Sequence, residues 1–420
     1  MTQTKTPPKN PGGFTWVLDS SQSEELDEAA ARGFSGIYSK QYVSVNFEER
    51  FKNLCEARIL QNRDGYYSFL YPYQYYYFLG KYLADNLSSD DIKESEEAKQ
   101  VVIKYCSHLY VRGNANTILF VIHHSKDRFI IDNVLNSMKS LFSDYEPLDL
   151  SIDSNIVNDL IDETANLIFS GGNPVENRIE KRVAEDEYEA NQTETDYTEE
   201  LEGALDLPAR LNMLFKTVDI SGQILKGHYG VIRNDKKKEI MSEVFNGPLR
   251  ALKEFFGLVG RNRDGLILEI ETLMRSKGKS KNDINIKKTA QKALFNLVGM
   301  VTHGFLFRSS MAIGSERLSD VARDLVAEND SLAFKLIHLG TVFDSQVAIP
   351  FDQLRNVSEE VDGNILAQKI LQNIVLRRLY LFKTSDVDKQ KLCDITGISM
   401  GHQRAIDYRG RNLKQVNSKG

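Results

Sequence analysis

Cysteine is scarce in this chain. Three occur in 420 residues, Cys55, Cys106 and Cys393, far apart and without a CxxC pair. That excludes a disulfide framework or a Cys-rich zinc centre and fits a reducing compartment. Long apolar runs are missing too: the richest stretch, Leu297 to Phe307, is broken by Thr302, His303 and Gly304. With no run of about 18 apolar residues, no membrane span is expected. Residues 1–13 are polar, with three prolines and two glycines, and lack the apolar centre of a signal peptide. A cytoplasmic location is therefore expected. The formal net charge of -6 leaves no general basic field to attract nucleic acid or anionic lipid.

Catalytic signatures are absent as well. No GxxxxGK[ST] phosphate loop occurs; Gly171-Gly172 runs into Asn173-Pro174, and Gly278-Lys279 lacks the upstream glycine. No GxSxG elbow or paired-carboxylate motif is found. The sequence thus predicts no catalytic, cofactor-binding or metal-ligating residues, and a chain that is not an enzyme.

What is present reads as helix. Hydrophobic residues make up 41% and charged residues 27% of the chain, ordinary values for globular domains. Ala98, Val101, Val102, Tyr105 and Leu109 share one helical face; so do Ile131, Val134, Leu135, Met138 and Phe142. The spacing recurs at Leu211–Leu225, Leu294–Phe305 and Leu366–Leu379. Ser88 and Asp91 read as a capping box opening the first of these helices. The best strand signal is a hairpin: Asp64-Gly65 separates Ala57–Leu60 from the alternating Tyr67–Tyr71. A helix over 46–60 precedes it, and Pro72 ends it before an aromatic helix. The fold class expected is mostly α, a winged-helix-like N-terminal segment followed by an irregular helical bundle or helical-hairpin array. Between Glu185 and Glu202 lie nine acidic residues and no basic one, the composition of a solvated linker. The expected organisation is a polar segment over 1–33, the winged-helix-like segment with its Tyr-rich helix over 34–86, a helical domain over 87–175, an acidic linker over 176–205, and a second helical domain over 206–420.

Four features compete for a functional role. Eight tyrosines fall between Tyr66 and Tyr82. Tyr75, Phe78, Leu79 and Tyr82 share one helical face, and Tyr73, Tyr77 and Lys81 share another. A stacking platform for bases or ligands is one reading; packing between the hairpin and the next helices is preferred. His123-His124 reads as a helix C-terminus, since adjacent positions point about 100° apart rather than converging on a metal. Arg275 to Lys292 holds seven basic residues against Asp283, read as a solvated loop before a phosphate-contacting patch. Cys393, Gly397, Ile398 and Ser399 have helix-turn-helix spacing, with Arg404 and Arg409 beyond, but a glycine cap explains them more simply.

The succession Cys55–Leu60, Asp64–Phe69 and Tyr71–Ala84 resembles the region downstream of the ATPase core in bacterial STAND-type signal-transduction NTPases. Asn114–Phe120 with His124–Asp127, and Phe215–Lys226 with Tyr229-Gly230, look like later segments of the same proteins. The resemblance runs from about residue 34 onward and rests on packing motifs. It implies the close of a winged-helix domain leading into a helical region that senses or restrains, in proteins many of which act in defence against phage. The P-loop and the effector of that family have no counterpart here. The expectation is a non-enzymatic sensor or scaffold module with a protein partner, such as a separately encoded P-loop ATPase. The alternative is a nucleic-acid-binding regulator using the winged-helix and C-terminal segments.

Overall fold

The computed structural model describes Phe14, Thr15, Leu18 and residues 25–41, 46–161, 173–191, 203–276, 283–344 and 348–399. Within them the protein is mostly helical, with one small sheet. It divides into two compact units: Met1–Ser137 with Asp196–Ile220, and Met138–Thr195 with Ser221–Gly420.

The first unit opens with β1 (Glu25–Asp27), α1 (Glu28–Gln41) and α2 (Phe47–Glu56), then β2 (Leu60–Arg63) and β3 (Tyr66–Phe69). The sheet order is β1-β3-β2, antiparallel throughout. Its first strand lies within the expected polar segment 1–33; Leu26 is its single buried residue, too short a pattern to read as a strand. Asp64 and Gly65 take φ of 52° and 88°, both left-handed, which is the two-residue turn that matches strand twist. Asn62 Oδ1 accepts from the Gly65 amide at 3.0 Å. Beneath the sheet, Phe14, Leu26, Phe47, Phe51, Leu60, Tyr67 and Phe69 form a buried cluster. Phe14 stands edge-on to Phe51 and Phe69 at 5.7 and 5.9 Å, a favoured aromatic geometry.

Helices α3 (Pro72–Leu87), α4 (Ile92–Ser107) and α5 (Arg112–His124) continue the unit, with α3 packed on both others. Proline at the first turn of α3 suits a position whose amide has no helical acceptor. The N-cap of α4 is Asp91, whose carboxylate accepts from the Lys93 and Glu94 amides. The expected Ser88 cap is corrected: Ser88 closes α3, and the two extra residues are needed to turn the chain. Helix α6 (Arg128–Ser140) follows.

In the second unit, α7 (Leu150–Asp153) and α8 (Asn155–Asn158) are single turns. Helix α9 (Pro174–Asn191) covers the first part of the acidic segment; Glu, Arg, Lys and Ala are strong helix formers, and its Asn177 is buried with Nδ2 donating to the Tyr380 carbonyl at 2.8 Å. Helix α10 (Leu207–Gly227) comes next in the chain, its residues through Ile220 belonging to the first unit, and α11 (Asn234–Ser276, 43 residues) and α12 (Asp283–Ile313, 31 residues) follow in the second. α11 and α12 pair extensively. Then come α13 (Ser319–Glu328), α14 (Leu332–Phe343), α15 (Phe351–Glu360), α16 (Ile365–Leu381) and α17 (Asp386–Thr396). Both stripes of α16 expected from sequence, Leu366/Ile370/Ile374 and Leu371/Val375/Leu379, are buried; the helix is packed by α9, α12, α14 and α17.

Pro248 sits inside α11. Lacking an N–H, it leaves the Val244 carbonyl, four residues earlier, without its helical donor. Ser309 of α12 donates its hydroxyl to that carbonyl at 2.9 Å, and the hydroxyl is buried. Sequence alone gives no reason to join these two residues.

Candidate functional site

The tyrosine-rich junction is the most developed surface feature of the first unit. Its base is set by backbone chemistry. Gln74 accepts from the Tyr71 amide with Oε1 at 3.2 Å and donates from Nε2 to the Arg58 carbonyl at 3.1 Å. One side chain thus ties the start of α3 to the turn leaving α2. Gly80 lets α3 and α5 touch: a Cβ there would lie 2.6 Å from Phe120 Cβ and 3.0 Å from the Val121 amide nitrogen.

The aromatic residues then divide. Tyr67 and Phe69 face the core, Leu79 is fully enclosed, and Phe78 stacks on Phe69 at 5.8 Å. Tyr75 stands edge-on to Phe69 at 6.1 Å. For these the packing reading holds. It does not hold for Tyr66, Tyr71, Tyr73 and Tyr77, which are 47, 46, 59 and 39% exposed. Period-2 alternation turns Tyr66 outward on β3, and the four-residue step from Tyr73 to Tyr77 places both on the outer face of α3. Tyr71 and Tyr73 stack at 5.7 Å with ring planes 16° apart. Tyr77 meets Phe120 at 5.7 Å and His124 at 4.8 Å, both edge-on. Lys81, one turn on, pairs with Asp85 at 3.0 Å.

His124 lies at the end of α5, as expected. Burial, reinforced by the Lys81 cation and opposed by Asp85, holds its pKa below the ordinary value. Its Nε2 is enclosed without a hydrogen-bond partner among the described residues. A neutral imidazole edge and three phenol rings offer stacking and hydrogen bonding rather than proton transfer.

The other candidates stay apart. His303 and His338 are in the second unit, held below the ordinary range by burial first and by Arg377 and Arg323 respectively; His303 is driven to about 4. Gln353 Nε2 donates to His338 Nδ1 at 2.7 Å. Burial pushes the Cys106 and Cys393 thiols up to about 12 and about 11, the reverse of a reactive thiolate. Among the described residues no group of three His, Cys, Asp or Glu side chains is placed to hold a metal. Of the basic run, Arg275 ends α11 and Lys287, Lys288 and Lys292 are exposed on α12; residues 277–282 lie outside the described residues. Gly397, at φ 69°, caps α17, and Ile398 N donates to the Cys393 carbonyl at 3.0 Å, the glycine-cap pattern. Arg404, Arg409 and His402 lie outside the described residues. No helix among the described residues is long and apolar enough to cross a membrane.

The exposed Tyr71–Tyr73 stack and the Gly80 contact are what sequence reading missed. Tyr73, Tyr77 and Lys81 at four-residue steps carried the signal for an outer face.

No curated protein and no solved structure matches the chain. The model of the family described as Novel STAND NTPase 4 matches residues 24–79. That span holds all of β1 to β3 and the first half of α3 with its exposed tyrosines, so this segment of the chain is related to STAND-type proteins.

Proposed function

We propose that the chain is a non-enzymatic helical sensor or scaffold module, related to the region that follows the ATPase core in STAND proteins and acting through protein partners in bacterial anti-phage defence or signalling. One observation carries the reading. The strand–helix–helix–hairpin order with sheet order β1-β3-β2 supports a winged-helix reading, it coincides with the STAND-family match, and helices follow it to the end of the described chain. The partner that fits is a separately encoded P-loop ATPase, with the chain working in the cytoplasm. In a nucleic-acid-binding winged helix, α2 would enter the groove. Its outer face carries Glu48, Glu49 and Glu56 against Arg50 and Lys52, a net negative charge that opposes phosphate contact.

The test is reconstitution with the ATPase encoded beside it. The chain alone should show no ATP turnover, and it should co-purify with the ATPase and change its rate. Turnover by the chain itself would overturn the reading, as would tight DNA or RNA binding that weakens steeply with salt.

A further inference from the structure

Helix α12 buries Leu294, Phe295, Val298, Phe305 and Leu306 in the second unit, yet its outer side is apolar as well. Leu297, Met300, Gly304, Phe307 and Met311 step by three and four residues and so share one face. Leu297, Met300 and Met311 on that face are exposed, Met300 by 66%. A Cβ at Gly304, midway along the stripe, would meet nothing beyond its own helix within 4 Å among the described residues, which leaves room for a second backbone. A helix apolar on opposite sides has the composition of one packed on both.

Helix α9 has the complementary character. Val175, Ile179 and Val183 follow at four-residue steps and are all exposed, Ile179 by 59%. Six acidic residues stand on α9 against three basic ones; α12 has four basic residues against Asp283 alone. Opposite charge favours α9 on α12 over either helix on its own kind, where like charges would meet. Both helices border the same turn of α16. Asn177 of α9 donates to the Tyr380 carbonyl at 2.8 Å, and Arg377 lies over the Phe307 ring of α12 at 4.1 Å. Within one chain both stripes are open at once, so an α9 that covers the α12 stripe comes from a second copy. The exchange is reciprocal, which closes a two-fold dimer. At 1.5 Å per residue the 18-residue α9 is about 27 Å long and covers the roughly 21 Å from Leu297 to Met311. We propose that two copies of the chain pair in this way, α9 of each docking on the Leu297–Met311 stripe of the other. Neither helix lies in the span matched to the STAND family, and the proposal does not rest on that reading.

The test is the mass of the full chain by sedimentation velocity, which at micromolar concentration should be that of two chains. Ile179→Lys sets a cation against basic α12, and Met300→Glu sets an anion against acidic α9. Each should raise the dimer Kd at least about tenfold. An equimolar mixture of the two variants should dimerise again, because it keeps one native α9–α12 contact and lets the two introduced charges pair in the other. Recovery on mixing would also show that both variants are folded. Leu273→Glu, at a comparably exposed site near the end of α11, should leave the dimer unchanged. A monomer throughout the micromolar range would overturn the proposal, as would a dimer that both variants leave intact. So would an equal loss from Leu273→Glu, or monomeric variants with native circular dichroism that stay monomeric when mixed.

Discussion

At the scale of single residues, Gly80 and the aromatic residues around it set the clearest expectations. The atoms a Gly80 Cβ would meet are the Phe120 Cβ and main-chain atoms of α5, none of which can swing aside. Gly80→Ala therefore forces α3 and α5 apart and should cost about 1–3 kcal/mol, the usual range for overpacking. A lowered urea midpoint with an unchanged m-value would show it; an unchanged midpoint would mean the helices separate freely. The tyrosines should divide in the same measurement. Phe69→Ala removes a buried ring packed against Phe14, Tyr75 and Phe78 and should cost about 3–5 kcal/mol. Tyr73→Ser, at an exposed site, should stay within about 0.5 kcal/mol. A large loss from Tyr73→Ser would show that the outer strip is structural after all.

Legibility is best judged at the scale of the element. Helices whose apolar residues keep a 3.6-residue period were readable because a single packed face imposes that period, as with Val102 and Tyr105 on α4. The hairpin was readable because Asp-Gly is one of few dipeptides that tolerate two positive φ values. Strand β1 and helix α9 were not: one has a single buried residue, and the other is charged along most of its exposed length, with Val175, Ile179 and Val183 facing outward. The four-residue steps of Tyr73, Tyr77 and Lys81 group them on one face, but sequence could not say that this face is the exposed one, since that depends on which side of α3 the sheet occupies. The pairing of Pro248 with Ser309 is tertiary in the same sense, and it yields a test. Ser309→Ala strands the Val244 carbonyl in the core and should cost about 1–3 kcal/mol. In a Pro248→Ala background residue 248 regains an N–H for that carbonyl, so Ser309→Ala should cost much less. A double-mutant cycle reads the coupling. Additive losses would show that the hydroxyl does not substitute for the missing amide donor.

For the molecule as a whole, acid should weaken the fold through its buried histidines before its carboxylates respond. His303 stacks over Phe307 at 6.0 Å, and Arg377 lies over the same ring at 4.1 Å while its Nε donates to Asp344 at 3.0 Å. Burial first, and then the nearby guanidinium, lower the His303 pKa from 6.5 to about 4. A group whose pKa is lower in the folded state binds its proton more readily when unfolded. Its stabilising contribution is therefore complete above about pH 6.5 and is lost as pH falls towards 4. A shift of this size corresponds to at most about 3 kcal/mol, and His124 and His338 shift in the same direction. Carboxylates such as Glu239, lowered by hydrogen bonds from Lys139 and Lys236, lose their share only below their ordinary range, so the upper part of the window belongs to the histidines. Denaturation midpoints between pH 7 and 5 should fall for the wild-type chain and fall less for His303→Gln, which keeps a neutral side chain throughout. Parallel slopes for the two proteins would show that His303 takes up its proton without disturbing the stack against Phe307.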